Sequence, residues 1–389
     1  MSSPPSAPTF SVDGTGMGPS MRIVFALPSL RQGGSERVVR LIADALSGMG
    51  ADVTMLVLDA RGRLDDPALV NPVIWVEHRF RSALFGLPSL VREIRRRRPH
   101  VVFTTFDWFN PLACALRPLF GRRTGLVCRQ SSPPSIHLHD FRFPAAHRWA
   151  TRHLLPQADR VVCQTSSMRD DLLRHFGTPP GRLTVIGNPV DVRQIPTSIE
   201  RPPIRGRRMN LVAVGNFSPQ KRFHLLIPIL LAAEGLDYHL TLVGDGPERA
   251  DVERGIRSAG LGAKVTFAGR RPSSYPYLMQ ADALLVTSRF EGCPNVVLEA
   301  GACGVPTIAF AVPGVDRELI DDGVTGALVP EGDVTAFSRA IRSLATAAPY
   351  DSERIRQRVC GLHSLAACAA RYAALFVEVC HINGFRSTI

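Results

Sequence analysis

Apolar residues along this chain come in short runs separated by amphipathic stretches, and the alternation repeats. Short apolar runs closed by turn residues read as buried strands of a parallel sheet. In the first half they predict strands over 21–27, 53–58, 73–76, 101–104, 125–128 and 160–164. A helix is expected from 35 to about 46, with basic or amphipathic helices between the later strands. The turn-forming Gly187-Asn188-Pro189-Val190-Asp191 ends that pattern. A Pro- and Arg-rich linker over 193–208 follows, in which Pro196, Pro202 and Pro203 disfavour regular structure. The rhythm then restarts, with strands over 211–214, 239–243, 265–267, 283–286, 307–310 and 327–329 and a helical stretch over 351–382.

Strands alternating with helices mark doubly wound α/β domains. The expected architecture is two Rossmann-like domains facing across a cleft, the default place for a ligand. The expected partition is a tail over 1–20, an N-terminal domain over 21–192, the linker, a second domain over 209–360 and a last segment over 361–389.

Composition narrows the class. The chain has 389 residues, 45% of them apolar and 21% charged, enough to build two ordinary globular domains. No run of about eighteen uncharged apolar residues appears, so no membrane-spanning helix is expected. Residues 1–20 are rich in Ser, Pro and Gly without an apolar core or basic flank. They read as a disordered tail rather than a signal peptide, with the fold starting at Met21. Eight cysteines lack any Cys-x-x-Cys pair and sit mostly in apolar runs, which suits buried free thiols in a reducing cytoplasm.

Charge is unevenly placed. Of the net +12, residues 78–123 carry +8, from ten arginines against Glu93 and Asp107. Phe80, Leu84, Phe85, Leu87 and Leu90 are interleaved with its early part, which holds Arg79 and Arg81, and Arg95, Arg96, Arg97 and Arg98 follow. Such a stretch suits an anionic membrane surface or acceptor, and equally an exposed Arg-rich helix face. No nucleic-acid-binding signature accompanies it, so nucleic acid is not an expected partner. Only Lys221 and Lys264 are lysines among 46 basic residues, and a compact ammonium is not interchangeable with a planar guanidinium at a tight phosphate.

The densest chemistry lies at Ser288-Arg289-Phe290-Glu291-Gly292-Cys293-Pro294-Asn295-Val296-Val297-Leu298-Glu299-Ala300. The strand over 283–286 feeds this loop, and Pro294 and Asn295 suit a helix entry with Asn as the capping side chain. Glu291 then lies at the carboxyl end of a strand, where open α/β sheets bind ligands, and Glu299 about one turn into the helix. A carboxylate there accepts two hydroxyl hydrogen bonds, which suits the vicinal diol of a sugar or ribose. Gly33-Gly34 between the first strand and first helix lets backbone amides approach an anion. The Rossmann Gly-x-Gly-x-x-Gly fingerprint is absent there, as is any Walker loop, which counts against a dehydrogenase or an ATPase.

Over most of its length the chain resembles the retaining, GT-B-fold glycosyltransferases of family 4. The resemblance rests on Glu291 and Glu299 in their Glu-x7-Glu frame, Gly33-Gly34-Ser35-Glu36-Arg37, Gly215 to Arg222, Val243-Gly244-Asp245-Gly246-Pro247-Glu248 and Phe267-Ala268-Gly269-Arg270. It implies that Glu291 contacts the donor sugar with the adjoining Gly292, Cys293 and Asn295, and Glu299 the ribose. Gly33, Gly34 and Lys221 would face the diphosphate, and the segment ending at Arg270 the nucleobase. Asn216 stands where the family usually has an Arg, and Arg222 is the candidate to replace that cation. It also implies that the terminal helix crosses back onto the first domain.

The reading that follows is of a retaining transferase with a nucleotide-sugar donor, UDP-linked, and a lipid-linked or cell-surface glycan acceptor. It would sit in the cytoplasm against the inner face of the membrane. With no Asp-x-Asp motif and no His/Cys cluster, neither metal nor cofactor is expected. Many members carry a His where this chain has Val127-Cys128-Arg129-Gln130-Ser131, while His137 and His139 read as loop histidines. The acceptor-side group is therefore unassigned. A nucleotide-sugar epimerase and a non-catalytic partner or glycan-binding protein stay open as alternatives.

Overall fold

A computed structural model describes residues 21–29, 33–59, 73–77, 83–138, 141–196, 208–346 and 350–385. The tail over 1–20, Arg79, Phe80, Arg81, His139 and most of the linker over 193–208 lie outside the described residues. Contacts divide the chain into two compact units, one of Met1–Pro189 with Leu365–Ile389 and one of Val190–Ser364.

The first unit holds a seven-stranded, wholly parallel sheet. Its strands are β1 (Arg22–Ser29), β2 (Asp52–Asp59), β3 (Ile74–Glu77), β4 (Val101–Thr105), β5 (Gly125–Arg129), β6 (Arg160–Cys163) and β7 (Leu183–Val185). The spatial order β3-β2-β1-β4-β5-β6-β7 reverses direction at β1, which opens a crevice at the strands' carboxyl ends. Helices α1 (Gly34–Gly48), α2 (Leu87–Arg97), α3 (Phe109–Leu116), α4 (Pro134–His137), α5 (Pro144–His153) and α6 (Ser166–Asp171) connect them. Strand side chains alternate between faces, and here both faces are dry. Ile23, Phe25 and Leu27 pack into one core with α1, while Val24 and Ala26 pack into another with α2 and α3.

The second unit repeats the plan with six parallel strands. They are β8 (Met209–Val214), β9 (Tyr238–Val243), β10 (Val265–Gly269), β11 (Ala283–Val286), β12 (Thr307–Ala311) and β13 (Gly326–Pro330), in the order β10-β9-β8-β11-β12-β13. Its helices are α7 (Leu226–Ala232), α8 (Arg249–Ser258), α9 (Tyr275–Leu278), α10 (Asn295–Ala302), α11 (Val334–Thr346) and α12 (Ser352–His363). At Ser364 the backbone turns extended and the chain returns to the first unit as α13 (Leu365–Ile382). There Tyr372 and Phe376 meet Phe103 of β4 at ring-centroid distances of 5.8 and 6.0 Å.

Four differences from the sequence-based expectation stand out. β7 was not foreseen, because a three-residue, half-buried edge strand carries almost no pattern. The helical stretch over 351–382 is two helices, broken at Ser364. Helix α13 is long and apolar enough to span a membrane by composition, and its buried side is core. On α2, Leu90 and Ile94 are core residues, so Leu90 does not belong to an apolar surface beside the arginines. Arg96 donates to Glu93 at 3.1 and 2.8 Å, and Arg97 to Thr54 Oγ1 at 3.1 Å. Arg95 and Arg98 are exposed, and Arg95 to Arg97 occupy the helix's last turn, where its dipole favours cations.

Candidate active site

The second unit assembles its site from loops that leave the carboxyl ends of β8 and β11. The β11 loop carries Glu291 in a buried position, its N–H donating to Pro313 O at 2.8 Å. Gly314, at φ +79°, passes directly beneath; a β-carbon there would collide with the Glu291 carbonyl. Across this loop the β8 loop is pinned by Arg289 N–H donating to Gln220 O at 2.8 Å, and by Thr287 Oγ1 donating to Lys221 O at 2.8 Å.

The result is a cation and a carboxylate in contact. Lys221 Nζ lies 2.6 Å from Glu291 Oε1, and Ser288 Oγ donates to the same oxygen at 2.5 Å. Gln220 Nε2 donates to Phe290 O at 3.0 Å and reaches Glu291 Oε2 at 3.5 Å. The Lys221 side chain keeps 19% exposure and Glu291 8%, so the pair is largely shielded. Lys221 and Glu291 were expected from sequence; Ser288 and Gln220 were not, because neither carries a signature of its own.

Helix α10 begins one residue away from the expected arrangement. Pro294 occupies the N-cap position and Asn295 is the first helical residue, half-buried, so Asn295 does not cap the helix through its side chain. Gly292 and Cys293 are buried in the same turn. Glu299 is 8% exposed and accepts a hydrogen bond from Ser274 Oγ, just before α9, a partner the sequence did not reveal.

Arg222 is placed differently from its expected role. Its backbone is left-handed at φ +49°, and the guanidinium donates to Thr287 O at 3.0 Å and Ser288 O at 2.8 Å. It also pairs with Glu331 at 2.9 Å and sits 5.7 Å from the Phe310 ring centroid. Two of its nitrogens thus fix the end of β11, and the third reaches Glu331 just after β13. Asn216 lies against the Gly244–Gly246 turn, where Gly244, at φ +141°, packs so closely on the Gly215 carbonyl that no side chain fits. Arg270 is exposed after β10.

Comparison with known proteins fits this geometry. A family model described as Glycosyl transferases group 1 matches residues 208–347, and one described as Glycosyltransferase Family 4 matches residues 32–194. Between them they span most of the chain. The chain belongs to the group 1 glycosyltransferases of GT-B fold. The lipopolysaccharide core biosynthesis glycosyltransferase LpsE of Rhizobium meliloti is 26% identical over 326 residues, 81% of this chain and 86% of that protein. The N-acetylgalactosamine-N,N'-diacetylbacillosaminyl-diphospho-undecaprenol 4-alpha-N-acetylgalactosaminyltransferase of Campylobacter jejuni is 23% identical over 332 residues, 81% of this chain and 88% of that one. Among solved structures, Anabaena HepE in complex with UDP and glucose superposes with a TM-score of 0.74 at 19% identity, covering 92% of this chain and all of that one.

In the first unit of this glycosyltransferase, Gly33 precedes α1 and the Glu36 carboxylate folds onto it. At the carboxyl ends of β4 and β5 lies a polar cluster. Arg129 is fully buried, donating to Asn188 Oδ1 at 2.6 Å and Thr105 Oγ1 at 3.3 Å. Asp107 accepts from Ser131 N–H at 2.8 Å and Ser132 Oγ at 2.5 Å. His147, not singled out from sequence, stacks on Phe141 at 3.7 Å. Burial lowers its pKa, against the pull of Asp107, so it favours the neutral form. Among the described residues no group of three or more His, Cys, Asp or Glu could hold a metal ion.

Proposed function

We propose that this protein is a retaining transferase that moves a sugar from a UDP-linked donor to a lipid-linked or cell-surface glycan acceptor at the inner face of a membrane. The observation that carries the reading is the Lys221–Glu291 contact at 2.6 Å inside a loop cluster at the strand ends. Negative charge grows on the departing diphosphate as the glycosidic bond breaks, and a fixed ammonium stabilises it. The carboxylate beside it accepts hydroxyl hydrogen bonds from the sugar, which places the sugar next to the diphosphate. Glu299, deeper in α10, is the ribose acceptor of hydrogen bonds. With Arg222 engaged elsewhere and Asn216 neutral, Lys221 is the principal diphosphate cation of this loop. On a retaining path the departing phosphate oxygen takes the acceptor's proton, so no separate protein base is required.

The relatives support the donor and acceptor classes. HepE binds UDP and glucose, and the Campylobacter enzyme is named for a diphospho-undecaprenol acceptor.

Calorimetric titration with UDP, GDP and ADP tests the reading. UDP binds wild type, and Glu299→Ala weakens it by about 10–100-fold, the cost of a charge-assisted hydrogen bond. Undiminished affinity in that variant removes the ribose assignment. Absence of binding by any nucleotide leaves a non-catalytic protein of the same fold, and sugar-nucleotide turnover without acceptor would mean an epimerase.

A further inference from the structure

Helix α5 is anchored by little. It buries only Thr151, whereas α1 of the same unit buries nine residues. Along one side of α5, Phe143, Ala150 and Leu154 line an open groove of about 490 Å³, whose other wall includes Trp108 and Leu112. No described element closes this groove. Phe143 is 66% exposed, Trp149 58% and Trp108 40%, so three large aromatic side chains stand in solvent on α5 and at the start of α3.

Along α5 itself the charge has one sign, with the buried Asp107 beside Trp108 already bonded to Ser131 and Ser132. From Phe141 to Ala158 the chain has Arg142, Arg148 and Arg152 and no acidic residue. The three arginines are exposed, and the Arg142 guanidinium lies 5.4 Å from the Phe143 ring centroid. Aromatic rings at solvent level flanked by long cationic side chains match the boundary between headgroups and acyl chains. Tryptophan and phenylalanine enter there while guanidinium groups reach lipid phosphates.

We infer that the α3–α5 face docks on an anionic phospholipid bilayer, with Phe143 and Trp149 in the headgroup–acyl boundary and Arg142, Arg148 and Arg152 on the phosphates. This rests on and deepens the proposed transfer to a membrane-borne acceptor, and it moves the expected lipid contact from the arginines of α2 to α5. Leu90 of α2 is committed to the core and the α2 side keeps Phe85, 75% exposed, as its exposed aromatic, whereas the α5 side carries both Phe143 and Trp149.

The full-length protein is mixed with vesicles of phosphatidylcholine alone or with phosphatidylglycerol added. Co-sedimentation and quenching of tryptophan emission by brominated lipid are measured. Wild type partitions onto the anionic vesicles and is quenched. Phe143→Ser/Trp149→Ser and Arg142→Gln/Arg148→Gln/Arg152→Gln each lower partition by about tenfold or more. Arg95→Gln/Arg96→Gln/Arg98→Gln retains it. Circular dichroism and thermal melting check that each variant is folded. The inference is overturned if wild type ignores anionic vesicles, which would leave the face to an acidic protein, or if the α5 variants bind as wild type. It is also overturned if only the α2 variant loses binding. Vesicle binding is read without nucleotide, so a failure to bind UDP would remove the proposed function and leave the lipid result standing.

Discussion

At the residue scale, the decisive pair is Lys221 and Glu291, 70 residues apart in the chain and 2.6 Å apart in space. On the proposed role of Lys221, Lys221→Met removes the cation that opposes developing diphosphate charge and leaves the Glu291 carboxylate its Ser288 and Gln220 contacts. Turnover, followed as UDP release, should fall by about 10²–10³-fold, the usual cost of losing one electrostatic stabiliser of a transition state. Retained turnover would show that another group carries this charge. Lys221→Arg should not rescue fully. The Lys221 stem packs on Gly215, where an added β-carbon would come within 3.1 Å of Cε, and a planar fork needs different room. The sequence exposed Lys221, Glu291 and Glu299 because each sits in a spaced motif. Ser274 and Ser288 became visible only when the chain brought their hydroxyls to those carboxylates.

At the element scale, α13 shows what burial does to an ambiguous pattern. Its eighteen residues read as a spanning candidate by composition, yet Tyr372, Phe376 and Val379 are buried against the first unit's sheet. Phe376→Ala should cost about 3–5 kcal/mol, from lost transfer energy plus the cavity left behind. Thermal melting checks this, with Leu362→Ala, 46% exposed on α12, expected to change stability by about 0.5 kcal/mol or less. Equal melting points would show that α13 is not integral to the first unit. The strands were legible because parallel sheets buried on both faces write continuous apolar runs. β7 was not, because Leu183–Val185 is short and lies at the sheet edge.

At the scale of the whole molecule, the eight cysteines are free thiols, seven of them buried and Cys360 partly exposed. Burial pushes Cys368 up to about 11 and Cys163 and Cys380 up to about 12. Cys114 is also raised, first by its contact with Cys128 and then by burial. Alkylation of the native protein near pH 8 should therefore mark Cys360 first, and the others only on unfolding, as read by peptide mass mapping. The sign of the stability effect follows. A thiol whose folded pKa is raised stays protonated in the native state while the unfolded state loses its proton. The stabilisation is complete below the unfolded value near 9 and is lost as pH rises through about 12. Denaturant midpoints should fall across that window, and a flat alkaline limb would contradict the burial of these thiols.

The sequence by itself determined the two-sheet architecture and the motifs at the strand ends, because apolar periodicity and turn residues are local properties of the chain. It also singled out Glu291, Glu299 and Lys221 as candidates, through their spacing along one loop or one helix and the resemblance those motifs carry. Tertiary structure decided what long-range contact alone sets. It tied the Arg222 guanidinium to the end of β11, bonded Ser288 to Glu291 and Ser274 to Glu299, and buried α13 in the first unit. It likewise left Phe143 and Trp149 exposed while taking Leu90 into the core. An apolar or cationic side chain has the same identity in either setting. Whether it is core, surface, ligand contact or structural tie depends on which distant segments fold against it.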